Sequence, residues 1–166
     1  MNAWQKELAT VYQAAAESPD PSTQNGAVLV HPIAGQVFVT LACNTFPPGV
    51  MATDDRLERP AKYAYIEHAE RRAIYSAARF GFGTSGLTMV AAWAACADCA
   101  RAIVQAGIIR LVRHWPPPQD QASARWRAST EMGDIILGEC GVEIIDVTDP
   151  IPSAPPILRD GRLWQP

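Results

Sequence analysis

Apolar and polar positions follow two rhythms along this chain. From residue 3 to 17, Trp4, Leu8, Val11, Tyr12 and Ala15 share one side of a helical period, so the stretch reads as an amphipathic helix. "SPDPST" (18–23) ends it, because prolines cannot continue a helix. "NGAVLVHP" and "QVFVTLAC" follow as strand-length apolar runs, and a turn from Pro32 to Gly35 predicts that they pair as a hairpin. "GLTMVAAW", "IIRLVRH" and "GVEIIDV" read as three more strands. Helices are predicted between them: 68–80, stopped by Gly81 and Gly83; "CADCARAIVQAG", closed by Gly107; and about 121–139. Residues 44–62 form a long irregular connection, of a kind that is usually functional or mobile. "WPPPQD" reads as a rigid loop, and no internal repeat is seen. Strands alternating with helices predict an α/β layered sheet, which the opening hairpin makes mixed rather than wholly parallel.

A length of 166 residues predicts one domain over 1–149, followed by a proline-rich tail over 150–166 that contains "PIPSAPP" and is expected to lie extended. Hydrophobic content of 48% against 19% charged fits a globular chain. The net charge of −3 and pI near 5.6 lack the basic footprint of a protein that grips a nucleic-acid backbone, so a small-molecule partner is favoured over a polymer. "MNAWQKELATVYQAAAE" carries Lys6 and Glu7 and no long apolar core, so it does not read as a signal peptide. No uncharged apolar run approaches the roughly 18 residues of a membrane span. A cytoplasmic location is expected, where four cysteines are metal ligands or free thiols rather than disulfides.

"YIEHAERRAIY" (65–75) puts His68 and Glu70 at the start of a helix. Alone, His-x-Glu is an ordinary solvated helix face. "CADC" changes that. Cys96 and Cys99 open a later helix, where residues three apart point the same way and both sulfurs can reach one ion. A helix N-terminus favours the thiolates a metal needs. Helix 68–80, a turn and a strand span the interval between the two motifs as one crossover, which brings both helix starts to one edge of the sheet. His68, Cys96 and Cys99 then make the three-ligand open site of a catalytic zinc. Zinc so held lowers the pKa of a water to about 7. Glu70, a carboxylate that is not a ligand, is placed to shuttle protons. H-x-E followed by C-x-x-C is the zinc deaminase signature. A structural zinc site or a redox pair are the other readings of C-x-x-C. A structural site wants a fourth ligand, and Cys43, Cys140, His31 and His114 are isolated in the sequence.

"DPSTQNGAVLV", "NTFPPGV", "RPAKYAYIEHAE" and "CADCARAIVQAGI" resemble the cytidine deaminase superfamily, and within it the deoxycytidylate (dCMP) deaminases, over about residues 18–147. The resemblance implies a three-layer α/β/α fold with a mixed, mainly parallel five-stranded sheet. It implies zinc-dependent conversion of dCMP, or a dCMP substituted at carbon 5, to the uracil product with release of ammonia. By motif position it makes His68, Cys96 and Cys99 the zinc ligands and Glu70 the proton shuttle. The Ala69 backbone would hold the base, Asn44 would lie near the sugar, and Gln24 and Gly26 would flank the pocket. A homo-oligomer, hexamer or dimer, is also implied.

Three departures from the family pattern stand out. Ala95 replaces the usual proline before the first cysteine. Arg72 replaces the asparagine after H-A-E-x, where it either meets a phosphate or is a surface residue. Ala42-Cys43-Asn44-Thr45 replaces the Gly-Tyr-Asn-Gly of members controlled by dCTP and dTTP, and 44–62 lacks the extra Cys and His of members with a second zinc. His114 and Trp115, at a strand end, are candidates for stacking or phosphate contact. Trp126 and Trp164 read as core or interface aromatics, Cys43 as a buried small residue, Cys140 as a helix-end thiol and His31 as a turn residue. The competing functions are a deaminase of a free base or nucleoside (guanine, cytosine, cytidine), and a non-catalytic zinc-stabilised subunit that binds nucleotides.

Overall fold

The amphipathic run at the start of the chain folds as α1 (Gln5–Ala16), with Leu8, Val11, Tyr12 and Ala15 fully buried along one stripe. It belongs to a computed structural model that describes residues 3–32, 37–114 and 121–166. The predicted turn beyond Pro32, and Trp115 with the triple proline, lie outside the described residues.

Five strands form the main sheet in the order β2-β1-β3-β4-β5: β1 (Gly26–His31), β2 (Val37–Cys43), β3 (Thr88–Ala91), β4 (Arg110–His114) and β5 (Glu143–Val147). β1 runs antiparallel to both β2 and β3, whereas β3, β4 and β5 are mutually parallel, so four of the five strands share one direction. The expected mixed, mainly parallel sheet is therefore present, and β1 and β2 pair as the predicted hairpin.

Side chains alternate across the two faces. Ala27, Leu29, Met89, Ala91 and Leu111 pack with residues of α4 (Ala69–Arg79), α5 (Ala97–Gln105) and α6 (Gln121–Glu139). Val28, Val30, Val90, Ala92 and Val112 pack under α1 and the C-terminal segment. Burial on both faces is why β1 and β3 read as unbroken apolar runs rather than alternating ones. Gly26 sets how closely α1 lies on β1: a Cβ there would sit 2.1 Å from the Val11 carbonyl oxygen.

Two sequence expectations change. The connection 44–62 is closed at its base by paired bonds between Thr45 and Glu67, and it contains two short helices, α2 (Asp54–Leu57) and α3 (Lys62–Tyr65, extending past the loop). The tail is not extended. It folds back as a hairpin of β6 (Ile157–Arg159) and β7 (Arg162–Trp164), with Ile151 and Ile157 fully buried in the α1-side core. Asp160 and Gly161, at φ 50° and 76°, form its tight turn, with the left-handed backbone that two-residue hairpin loops require. Prolines hid this, but α1 alone does not cover its face of the sheet, and the tail's apolar residues complete the cover. Among the described residues, no helix is long and apolar enough to cross a membrane.

Candidate metal and active site

The β1–β3–β4 arrangement brings the starts of α4 and α5 to one edge of the sheet. His68 and Cys96 are the N-cap residues of these helices, both in extended conformation, and neither side chain caps its own helix. They turn inward instead. His68 Nδ1 lies 3.5 Å from Cys96 Sγ and 3.5 Å from Cys99 Sγ. All three donor atoms lie within 4.8 Å of one another. A tetrahedral zinc with Zn–S of about 2.3 Å and Zn–N of about 2.05 Å separates nitrogen from sulfur by about 3.6 Å. The donor set fits such an ion in type and in spacing.

Electrostatics favour the same conclusion. A hydrogen bond from Cys99 pulls the Cys96 thiol down to about 4 against burial, with help from the His68 ring. The same bond and burial push Cys99 up. Burial lowers His68, but Cys96 and Glu70 outweigh it and leave the imidazole above its ordinary value. Arg71 directs Nη1 at Cys99 Sγ from 3.7 Å and pairs with Glu67, whose carboxylate also accepts the His68 amide at 3.1 Å. A buried pair of thiols beside a fixed guanidinium is suited to carry the negative charge that a divalent cation demands.

Glu70 sits one residue inside α4 and is 2% exposed. Burial pushes its carboxyl up, with the His68 charge opposing, which suits a group that must hold and release protons. It is not part of the three-donor cluster. Its Oε2 accepts a hydrogen bond from Asn25 Nδ2 at 3.3 Å.

α6 forms one wall. Trp126 packs edge-on to His68 with ring centroids 5.5 Å apart, and Tyr63 from α3 packs on Trp126 at 6.1 Å. Ser129 Oγ accepts the Ala97 amide at 3.1 Å, and Gly133 lets α6 approach so closely that a Cβ would lie 2.4 Å from the Ala95 carbonyl oxygen. Ala95, where the resemblance has proline, is fully buried under this contact.

The remaining predicted residues divide. Ala69 is fully buried beside the cluster. Asn44 is buried and organises the loop before β1: its Oδ1 accepts the Asn25 amide at 2.7 Å and its Nδ2 donates to the Thr23 carbonyl at 2.8 Å. Gln24 spends its side chain on Ala16 and Ser18 carbonyls and on the Leu158 amide, which anchors the C-terminal hairpin. Gly26 faces α1. Arg72 directs its guanidinium at the Cys43 carbonyl, 3.3 Å away. His114 lies on the α1 face of the sheet, sharing a 2.7 Å hydrogen bond with the Tyr12 hydroxyl and packing against Trp164. The structure thus joins His68, Glu70, Cys96 and Cys99, links Asn44 to them through Asn25, and sets Gln24, Gly26, Arg72 and His114 in other contacts. Cys43 is buried and Cys140 exposed just past α6, as read from sequence.

Asn25, Ser129 and Gly133 were not singled out by sequence. Asn-Gly reads as turn punctuation, which masked Asn25. A glycine inside a helical pattern does signal close packing, so Gly133 was findable. Ser129 carried no signal, because its partner belongs to another element.

A family model described as the cytidine and deoxycytidylate deaminase zinc-binding region matches residues 1–114. The chain belongs to this family. Family members are zinc-dependent hydrolases, and the His68, Cys96 and Cys99 cluster lies inside the matched region. An uncharacterized deaminase encoded in the luxG 3′ region of Aliivibrio fischeri is 32% identical over 127 residues, 76% of this chain and 81% of that protein. The deoxycytidylate deaminase of Enterobacteria phage T4 is 39% identical over 80 residues, 48% of this chain and 37% of that one. The chain thus spans well under half of the phage enzyme. The crystal structure of dCMP deaminase from cyanophage S-TIM5 in complex with dCMP and dUMP superposes with a TM-score of 0.62 at 19% identity, covering 87% of this chain and 94% of that one, which establishes the shared fold.

Proposed function

We propose that this protein deaminates a cytosine deoxynucleotide, dCMP to dUMP, with His68, Cys96 and Cys99 as its zinc ligands and Glu70 as its proton carrier. The observation that carries the reading is a buried carboxylate, outside the donor set, held beside one imidazole and two thiols. A purely structural metal site has no use for it. Bound by these three residues, zinc supplies a Lewis acid that makes water nucleophilic near neutral pH. Glu70 takes a proton from the attacking water as the oxygen adds to C4 of the base and gives it to ring N3. It then takes the remaining proton of the new C4 hydroxyl and passes it to the amine, so that a C4 carbonyl forms as the C4–N bond breaks and ammonia leaves. Burial keeps bulk water from competing for that proton. Trp126 and Tyr63 offer aromatic surface beside His68 for a planar base.

The monophosphate is favoured over a nucleoside by two arginines on the elements that carry these aromatics. Arg125 on α6 and Arg59 before α3 both converge on Asp160 Oδ1, at 2.8 and 3.2 Å. Two guanidiniums on one carboxylate leave a positive charge for a phosphate. Deoxycytidylate deaminases among the relatives agree with this class. A homo-oligomer, which the resemblance implies, is part of this proposal, and the exposed Tyr75, Phe80 and Phe82 at and beyond the C-terminal half of α4 support an associating face.

The test is incubation with dCMP, 5-methyl-dCMP, CMP, deoxycytidine, cytosine and guanine, following absorbance and ammonia. dCMP is expected to be turned over, and Glu70→Gln to lose at least about 100-fold while keeping one zinc per chain. Turnover of a nucleoside or base but not of dCMP would overturn the substrate assignment. Full activity of Glu70→Gln would overturn the mechanism.

A further inference from the structure

We infer that Asn25 is a positioning residue for the reaction: it anchors one oxygen of the Glu70 carboxylate, Oε2, and so fixes how that carboxylate is turned towards the His68, Cys96 and Cys99 cluster. The inference rests on the deaminase reading for its chemical consequence, but its structural core stands on hydrogen bonds alone.

Asn25 is held at every polar group. Its amide N–H donates to Asn44 Oδ1 at 2.7 Å, and its carbonyl accepts the Asn44 amide at 3.0 Å. Asn44 is in turn fixed by Thr23 and by Asp20 Oδ2, at 2.8 and 3.3 Å. Asp20 accepts both Ser22 and Thr23 amides and forms a buried ion pair with Lys62 at 2.8 Å. The Asn25 side chain cannot rotate without loss. Its Oδ1 accepts the Gly26 amide at 2.9 Å, which fixes which end of the amide faces Glu70. The end that does is Nδ2, a donor that can accept nothing back. A carboxylate at the end of two methylenes, with its own backbone amide as a further partner, is freer to exchange its two oxygens without Asn25. A donor held by a rigid network removes that freedom before substrate arrives.

The inference separates the two bonds that Asn25 makes. Asn25→Ser keeps a neutral oxygen able to accept the Gly26 amide and removes the donor to Glu70 without placing a second carboxylate beside it. Asn25→Leu, of similar size, loses both. If Asn25 merely shapes the turn, Asn25→Ser behaves as wild type. If it positions Glu70, both variants lose about 10- to 100-fold in kcat with KM within about threefold, at unchanged zinc content and melting temperature within a few degrees. Crystal structures of both variants supply a readout independent of turnover: the Glu70 carboxylate is expected to rotate away from its wild-type position or to occupy two. Wild-type kcat in Asn25→Ser, or an unmoved Glu70 carboxylate in Asn25→Leu, overturns the inference and leaves the deaminase reading intact. A displaced Glu70 in variants of a protein that deaminates none of the six compounds would support the positioning role and overturn the deaminase reading.

Discussion

The Ser129 hydroxyl on α6 accepts the Ala97 amide at 3.1 Å, so the helix that presents both cysteines is capped from a different helix. Cys96 occupies the N-cap position but turns its sulfur toward His68 instead of capping. Ser129 supplies the missing acceptor and Gly133, one turn on, admits the Ala95 carbonyl. Ser129→Ala is expected to lower stability by about 1 kcal/mol, the usual loss for an N-cap. Gly133→Ala puts a methyl where only backbone fits and is expected to lower it by about 1–3 kcal/mol. Because both push on the cysteine loop, chelator competition should show weaker zinc binding in each. A Gly133→Ala protein with wild-type melting temperature and zinc affinity would contradict the packing.

What sequence could reveal follows from where each signal lives. His68, Glu70, Cys96 and Cys99 were legible because their chemistry is carried by residue type and short spacing, and strand-helix alternation was enough to bring the two motifs together. Asn25 was not, since its meaning lies in a carboxylate 45 positions away. Gln24 was read as a pocket residue, yet its side chain is spent on the C-terminal hairpin. That hairpin was itself hidden by prolines that suggest extension, although burial of Ile151 and Ile157 decides the outcome. His114 sat at the right end of a strand, but only the direction of its side chain, toward Tyr12, shows which face it serves.

The zinc ligands should be separable from the fold. Much of the core lies under α1, on the opposite face from the cluster. Chelation is therefore expected to abolish turnover and lower the melting temperature without unfolding the chain, with readdition of zinc restoring both. At free zinc a thousandfold above its Kd the ion adds about 4 kcal/mol. Elemental analysis should give one zinc per chain, and none in Cys99→Ala. Full activity after complete zinc removal would refute the metal's role.

Arg59 and Arg125 offer a direct test of the phosphate assignment. Arg125 and Arg59 hold the Asp160 carboxyl below the ordinary carboxylate range, as expected of one anion shared by two guanidiniums. Arg125→Ala is expected to raise KM for dCMP about 10-fold or more, the effect of removing one charge-assisted contact of about 1.5–3 kcal/mol. Activity on deoxycytidine, however small, should be unchanged. Equal losses on both substrates would assign Arg125 to the fold instead.

Asp20 and Lys62 form a buried ion pair, each side chain 6% exposed, beneath the loop that carries Asn25. Burial pushes the Asp20 carboxyl up, but the Lys62 ammonium and the Ser22 and Thr23 amides outweigh it and leave the group below its ordinary value. A depressed carboxylate stabilises the fold fully above its unfolded pKa of about 3.9, and that contribution is lost as pH falls through the lower folded value. Wild-type stability should therefore drop with acid below about pH 4, beyond any general decline. Asp20→Asn leaves the Lys62 ammonium buried without its partner, which costs about 3–5 kcal/mol at neutral pH. The variant should also lose part of the acid dependence, so the wild-type melting temperature falls towards that of the variant as pH drops from 5 to 3. Since Asp20 also holds Asn44, which holds Asn25, the surviving folded protein should have reduced kcat. A constant difference between the two proteins across that pH range would show that the Asp20 carboxylate contributes no charge-dependent stability.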